Sequence, residues 1–205
     1  MKIIGKIIPL AILAALLGLS GCMTKAHPEK NQYGLSVGPP AREVPASANR
    51  RTLLIGNVTA AAGYDNRAMV YKVGADKYES DFYNEYLAPP ARLLADQASQ
   101  YLDRANRKVR VVKTPGLTLA QYGLETYIEA LYGDYTAGPP QAVVRIRFTL
   151  NDLRGSSPKV MLDQTYAAQS PMADQSPAAL AEAAGAALEE ILASLNGDIE
   201  AVIGQ

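Results

Sequence analysis

Apolar and polar residues alternate along much of the chain, which predicts a protein rich in β-strands. Candidate strands, marked by apolar runs or by alternation between turn-forming residues, cover 33–37, 52–58, 67–73, 78–83, 107–113, 124–135, 142–151 and 159–168. In segment 142–151 the apolar side chains alternate with Arg145, Arg147 and Thr149, so one face is expected to be buried and the other hydrated. Segment 124–135 carries apolar or aromatic residues on both faces, which predicts a central strand covered on each side.

Two other segments repeat apolar residues at intervals of three and four, the spacing of an amphipathic helix. The first begins at Pro89 and Pro90, ends at Asn106, and is expected to bury Leu87, Ala91, Leu94, Ala98, Tyr101 and Ala105. The second begins at Ser176 and Pro177, and is expected to bury Leu180, Ala184, Leu188, Ile191, Leu195, Ile199 and Val202. Gly197 is expected to kink or shorten that helix. These elements predict an α+β fold with one mostly antiparallel sheet and two helices packed on one face.

The first 21 residues have the features of a secretory signal peptide. Lys2 and Lys6 give it a positive start, and the apolar run 7–17 is shorter than the roughly 20 residues that a transmembrane helix needs. Small residues then lead to Cys22, the only cysteine of the chain. The alternative, an ordinary signal with a chance cysteine, is less consistent with the position of Cys22 and its flanking residues.

The end of this signal resembles the lipobox of bacterial lipoproteins, and is formed by Leu19, Ser20, Gly21 and Cys22. The resemblance implies that signal peptidase recognises the three residues before the cysteine. It also implies that the Cys22 thiol receives a diacylglyceryl group and that the new amino terminus is acylated. Because the side chain of Cys22 is then committed to lipid, the folded part has no disulfide and must be stabilised by its core.

The chain is expected to have three parts: a signal peptide (1–21), a lipidated, proline-rich tether (22–49) and one folded domain (50–205). If the whole tether were flexible, its typical reach would be about 30 Å. Signal removal takes Lys2 and Lys6 from the 20 basic residues and none of the 20 acidic ones, so the mature formal charge is −2. A chain this close to neutral lacks the basic surface that nucleic-acid binding requires.

The sequence gives little support to catalysis or to a bound cofactor. The only histidine, His27, lies in the predicted tether, so a histidine-dependent nucleophilic site inside the domain is excluded. No glycine-rich phosphate-binding motif is present. The acidic residues of segment 76–85 lack the spacing and central glycine of an EF-hand, so no metal site is predicted. We therefore expect a non-enzymatic protein.

Three stretches of the domain resemble the family of ABC-type transport auxiliary lipoproteins. They are Leu53-Leu54-Ile55-Gly56-Asn57-Val58, then Gly63-Tyr64-Asp65-Asn66-Arg67-Ala68-Met69-Val70-Tyr71, and Phe82-Tyr83-Asn84-Glu85-Tyr86-Leu87-Ala88-Pro89-Pro90. In the family, a strand, a loop and a second strand are followed by an aromatic-alanine-glutamate-proline segment that opens the first helix. The family tryptophan is absent here, and tyrosine stands near its place.

This resemblance implies a role in MCE-type lipid transport across the cell envelope, including the paraquat-inducible type. The expected partners are a periplasmic MCE-domain protein, an inner-membrane permease and an ATPase. Met23 follows the cysteine where an inner-membrane retention signal often has aspartate, so the expected location is the periplasmic face of the outer membrane. Two points stay open: whether the protein forms a homo-oligomer, and whether it acts instead as a stand-alone envelope interaction module.

Tyrosine is unusually frequent relative to phenylalanine, with 12 residues against two. Because a phenol has an apolar body and a polar end, it suits protein and lipid interfaces. Loops of a rigid scaffold often carry recognition, so the expected docking surface comprises loop 60–67 and segment 82–86, with Tyr64, Arg67, Phe82, Tyr83 and Tyr86. For Tyr71, Tyr127 and Tyr132, half-buried strand positions are the preferred interpretation. Arg145 and Arg147 fit a hydrated face better than a phosphate site.

Overall fold

The computed structural model describes residues 29–45, 49–112, 119–136 and 138–204. The strands and helices are β1 (Asn31–Tyr33), β2 (Arg51–Ala60), β3 (Ala68–Lys72), β4 (Tyr78–Tyr86), α1 (Pro90–Ala105), β5 (Val109–Val112), β6 (Tyr122–Asp134), β7 (Gln141–Asp152), β8 (Lys159–Pro171) and α2 (Pro177–Ile203). No helix within these described ranges has the length and apolar character needed to cross a membrane. The predicted α+β class is confirmed, with elements in the expected order.

The described strands form one mixed sheet of eight strands, with β6 near its centre. Strands β6, β7 and β8 pair antiparallel along almost their whole length. On the other side of β6, strand β2 pairs parallel with its first half and β3 with its last residues. The long ladders are therefore antiparallel. On the other side of the sheet, parallel pairs join β1 to β4 and β2 to β5, while β3 pairs antiparallel with β4.

Both helices cover the same face of the sheet and bury their apolar stripes against it. The inward residues of β7 are all buried, as the alternating pattern predicted, and they are Val144, Ile146, Phe148 and Leu150. Leu188 and Ile191 of α2 are also buried. Ser176 caps α2, because its hydroxyl accepts a hydrogen bond from the Ala179 N–H. The core thus lies between the sheet and the two helices.

Four details of the predicted helices were wrong, and the first is that Ala91 is only half-buried. Leu87 is exposed rather than buried, because α1 begins only at Pro90 and Leu87 lies in the preceding loop. At the end of α2, Ile203 is buried while Val202 is only half-buried. Helix α2 also runs without interruption past Gly197.

The sheet face opposite the helices is open in the described part of the chain, so the prediction that β6 is covered on both sides was wrong. Tyr127 of β6 is 42% exposed on that face. Arg145 and Arg147 point outward as expected, and ion pairs join Arg145 to Glu129 (2.7 Å) and Arg147 to Asp163. Both helices pack on the other face of the sheet. The open face therefore carries charged and aromatic side chains.

Two consecutive arginines at the start of β2 bind the carboxyl ends of the two helices. The Arg50 guanidinium donates to the carbonyl oxygens of Asp103 (2.7 Å) and Asn106 (3.2 Å), at the end of α1. Arg51 donates to the Ile203 carbonyl at the end of α2 (2.9 Å). Because the carboxyl end of a helix carries partial negative charge and unpaired carbonyls, these contacts stabilise the position of each helix.

Residues 34–45, here called the N-terminal strap, pack on the helices instead of hanging free. Leu35 is 2% exposed and belongs to the core. The Val37 N–H donates to the Gln97 side chain (3.1 Å), and the Val44 N–H donates to the Arg104 carbonyl (2.7 Å). The strap therefore lies along α1 as an integral part of the fold.

Within the predicted tether 22–49, residues 31–45 are thus packed on the domain. The strand predicted at 33–37 is instead β1, which pairs parallel with the end of β4 and stops before the strap. Apolar alternation in the strap reflects burial against helices, which sequence periodicity does not distinguish from strand pairing. The signal peptide and Cys22 lie outside the described residues, so their boundaries stay predictions.

Candidate functional site

Strand β4 contains a large bulge that no sequence pattern predicted. Val70 pairs with Ser80 and Ala68 pairs with Glu85, so one residue of β3 stands opposite four residues of β4, Asp81–Asn84. An extra segment of this kind bends the strand away from its partner and re-aims its side chains. We call Asp81–Asn84 the aromatic bulge.

The Asp81 carboxylate sets the shape of the aromatic bulge. One oxygen accepts the backbone N–H groups of Tyr83 (2.8 Å) and Asn84 (2.9 Å). The other accepts the Tyr71 hydroxyl (3.0 Å) and the Asn84 side-chain amide (2.9 Å). Burial alone would raise the pKa of Asp81, but the hydrogen bonds from Asn84, Tyr83 and Tyr71 outweigh it and lower the pKa below its usual value.

The bulge presents two aromatic side chains to the outside. Phe82 is 66% exposed and Tyr83 is 52% exposed, and their rings meet edge to face with centroids 5.2 Å apart. The ammonium of Lys30 lies 5.2 Å from the centre of the Phe82 ring and 3.2 Å from the Glu85 carboxylate. The exposed rings therefore lie beside the residues through which the chain enters the domain.

Arg67 holds the base of the bulge. Its guanidinium donates to the Tyr86 carbonyl (3.1 Å) and forms an ion pair with Glu85. Hydrogen bonding from Gln32, followed by the contacts of Lys30 and Arg67, lowers the pKa of Glu85 despite some burial. Arg67 was predicted to dock a partner, and the structure shows its guanidinium engaged in an ion pair with Glu85, which also pairs with Lys30.

Tyr86 was the clearest error among the predicted docking residues, because it is 1% exposed and lies in the core. Burial raises the pKa of its phenol, whose hydroxyl has no hydrogen-bond partner among the described residues. In an unbroken strand Phe82 and Tyr86 would share one face, since side chains alternate with a period of two. The bulge breaks that alternation and places Phe82 outside and Tyr86 inside.

A second aromatic group, here called the tyrosine cluster, comprises Tyr64, Tyr78 and Tyr132. Tyr64 stacks on Tyr132 with ring centroids 6.5 Å apart, and Tyr78 meets Tyr132 edge to face at 5.4 Å. Burial, together with the neighbouring phenols and Asp134, raises the pKa of Tyr132 to about 12. Tyr64 and Tyr132 are half-buried and Tyr78 is exposed, so the cluster has a rigid base and an accessible edge.

The loop that carries Tyr64 is ordered by its own polar contacts. The Tyr64 N–H donates to the Ala61 carbonyl (2.9 Å), and the Asn66 side chain accepts the Ala68 N–H (2.8 Å). The half-buried setting expected for Tyr71 and Tyr132 is confirmed, whereas for Tyr127 it was wrong because that residue is exposed. Tyr78 was missed as a site residue, although its place beside the Gly74–Lys77 turn was a usable signal.

The predicted lipidation site and its recognition residues, Leu19, Ser20, Gly21 and Cys22, lie outside the described residues, as does His27. In the part of the chain that the structure does describe, no group of three or more His, Cys, Asp or Glu side chains is placed to hold a metal ion. What the described surface offers is therefore aromatic contact area on a rigid sheet.

The mixed sheet with two helices on one face defines a domain of the α+β class. Residues 33–196 match the model of the family described as ABC-type transport auxiliary lipoprotein component, and the chain belongs to that family. Membership associates it with an ABC-type transporter and with the cell envelope. A comparison with curated proteins finds no match to this chain.

Solved structures share the fold at low sequence identity. The crystal structure of protein XCC0632 from Xanthomonas campestris superposes with a TM-score of 0.70 at 18% identity, covering 84% of this chain and 95% of that one. The hypothetical protein CT253 from Chlamydia trachomatis gives a TM-score of 0.51 at 12% identity, covering 74% of this chain and 99% of its own. At these identities the likeness concerns the fold alone.

Proposed function

We propose that this chain is a non-enzymatic, lipid-anchored auxiliary component of an MCE-type ABC transport system that moves lipids across the cell envelope. The family match over residues 33–196 is the observation that carries this proposal. The exposed aromatic surfaces agree with it, because they offer contact area to a partner.

The anchor of this component is Cys22, recognised through Leu19, Ser20 and Gly21 and held at the periplasmic face of the outer membrane. The protein with Cys22→Ser is expected to be unprocessed or soluble, with no acyl mass on its N-terminal peptide. Mass spectrometry of that peptide and fractionation of the cell envelope measure both effects. Wild-type protein without lipid in the soluble periplasmic fraction would contradict the anchor.

The tyrosine cluster is the proposed docking surface for the periplasmic MCE-domain protein. Partly buried tyrosines bring large contact area with little loss of side-chain freedom, and they are enriched in the centres of protein interfaces. Tyr78 provides the accessible edge and Tyr64 lies half-buried beside it, and Tyr132 holds both in place by ring contact. In this proposal the chain associates with the permease and the ATPase indirectly, by binding the MCE-domain protein.

Crosslinked membranes provide the test of this docking surface. The tagged wild-type lipoprotein is expected to capture the MCE-domain protein, and Tyr64→Ala combined with Tyr78→Ala should weaken that capture. Tyr127→Ala is the matched control, because Tyr127 is an exposed tyrosine on the open sheet face. Thermal melting of each variant shows whether the fold has survived.

Two negative results together would overturn the proposed transport role. If no MCE-domain protein, permease or ATPase is recovered, and deletion of the lipoprotein leaves the detergent sensitivity of the cells unchanged, the proposal fails. A stand-alone envelope lipoprotein that acts as an assembly or interaction module then takes its place.

A further inference from the structure

The aromatic bulge lies close in sequence and in space to the proposed lipid anchor. Lys30, whose ammonium lies over the Phe82 ring, is only eight residues after Cys22. A fully extended chain spans about 3.3–3.6 Å per residue, so Lys30 is at most about 28 Å from the acylated cysteine. Packing of the strap removes the rest of the expected tether, because residues 34–45 are fixed to the helices.

The side chains at this point have the chemistry of a membrane interface. Aromatic rings with a cation beside them are typical of residues that sit at the level of lipid headgroups. Phe82 and Tyr83 are exposed and touch each other, and the Lys30 ammonium lies over the Phe82 ring. Such rings held close to an acyl anchor would add apolar contact with the lipid layer to that of the acyl chains.

We infer that the aromatic bulge rests on the lipid surface that holds the anchor, with Phe82 and Tyr83 inserted among the headgroups. This inference rests on the lipidation of Cys22 in the proposed function. It gives the domain a fixed orientation, because the anchor and the bulge are two separate membrane contacts. The tyrosine cluster is a distinct group of rings and stays available to the protein partner.

The charges around the bulge indicate how it binds. Lys30 and Arg67 are both paired with Glu85, and Asp81 is engaged by hydrogen bonds within the bulge. The two cations and two carboxylates cancel, so attraction to anionic lipid is small. Contact should therefore come from insertion of the rings and depend little on salt or on the anionic lipid fraction.

The chain contains no tryptophan, which allows a direct measurement. Phe82→Trp and Tyr83→Trp each introduce one indole at the bulge, and Tyr127→Trp introduces one on the open sheet face as the matched control. The full lipidated chains are reconstituted in vesicles of phosphatidylethanolamine and phosphatidylglycerol. Acyl mass and flotation with the vesicles are recorded first, and fluorescence is then compared with and without lipids brominated on the acyl chain.

The expected result is a blue-shifted emission and strong quenching by brominated lipid for both bulge variants, with little change when salt is added. The Tyr127→Trp control should stay accessible to acrylamide in water and insensitive to bromine. Two bulge variants are used so that a folding defect in one leaves the other informative.

Each other outcome overturns the inference in a different way. If the chains float with vesicles but both bulge indoles stay accessible to acrylamide, the bulge does not contact lipid, and the proposed function is unaffected. If protection appears only after the crosslinked partner proteins are added, the bulge contacts protein instead. If no acyl mass is found, the anchor of the proposed function fails together with the inference.

Discussion

The N-terminal strap and the aromatic bulge are both irregular segments beside β1, but the strap buries an apolar side chain and the bulge exposes one. Leu35 of the strap is buried in the core, whereas Phe82 of the bulge projects from the sheet. The strap is held by burial and by contact with two helices. The bulge is held mainly by the hydrogen bonds of one carboxylate, Asp81.

The difference shows how this domain separates stability from recognition. A segment held by apolar burial loses free energy when its side chains change, because a cavity is left. A segment shaped by hydrogen bonds to its backbone is free to expose any side chain. The bulge can therefore expose the side chains of Phe82 and Tyr83 to solvent, and these side chains need not contribute to the stability of the fold. Three substitutions test this separation.

The largest effect is expected from Leu35→Ala. Removal of a buried leucine side chain lowers the free energy of unfolding by about 2–5 kcal/mol, through lost transfer energy and the cavity that remains. Phe82→Ala is the matched control, because it removes an apolar side chain that is mostly in water and should change stability by less than about 0.5 kcal/mol. Urea unfolding of the purified chains measures both values. Equal losses for the two variants would contradict the comparison.

The next effect concerns the contact between the strap and α2. A Cβ atom at Gly185 would lie 2.1 Å from the carbonyl oxygen of Ser36, so Gly185→Ala must displace the strap backbone. Overpacking of this kind typically costs about 1–3 kcal/mol. Gly197→Ala, in the same helix, is the control, because beyond its own helix backbone no described atom lies within 4 Å of its Cβ position.

The control should move in the opposite direction. Alanine is favoured over glycine inside a helix by about 1 kcal/mol, so Gly197→Ala should raise the midpoint of thermal unfolding while Gly185→Ala lowers it. Backbone hydrogen exchange in the strap should also accelerate in Gly185→Ala alone. Stabilisation by both substitutions would show that the strap is not held against Gly185.

The smallest effect is expected from Asp81→Asn, which weakens the hydrogen bonds that shape the bulge and should cost about 1 kcal/mol at neutral pH. Because the pKa of Asp81 is lower in the folded protein than in the unfolded chain, its contribution is complete above the unfolded pKa of about 3.9. The contribution is then lost as the pH falls through the folded pKa.

The measurement is the difference in unfolding free energy between wild type and Asp81→Asn over a pH series. Other carboxylates titrate equally in both proteins and cancel in the difference. The difference should therefore shrink as the solution is made more acid than about pH 4. A difference that stays constant through this range would show that the carboxylate charge does not hold the bulge.

The sequence on its own determined the α+β class and most element positions. Clean alternation in β7 and the long stripe of α2 depend only on which side chains avoid water, and that is a property of the residues themselves. The helix cap at Ser176 could also be predicted from the sequence, because it involves only residues close to it along the chain. The family resemblance was carried by such local patterns too, and the family match bears it out.

Tertiary structure alone decided the features that distinguish the candidate site. The bulge follows from the register between β3 and β4, and only that register reveals that Phe82 and Tyr86 face opposite ways. The strap is packed because Gly185, far away in the sequence, leaves room for the Ser36 carbonyl. These outcomes depend on contacts between residues distant along the chain, and a one-dimensional pattern of polarity carries no information about which distant residues meet.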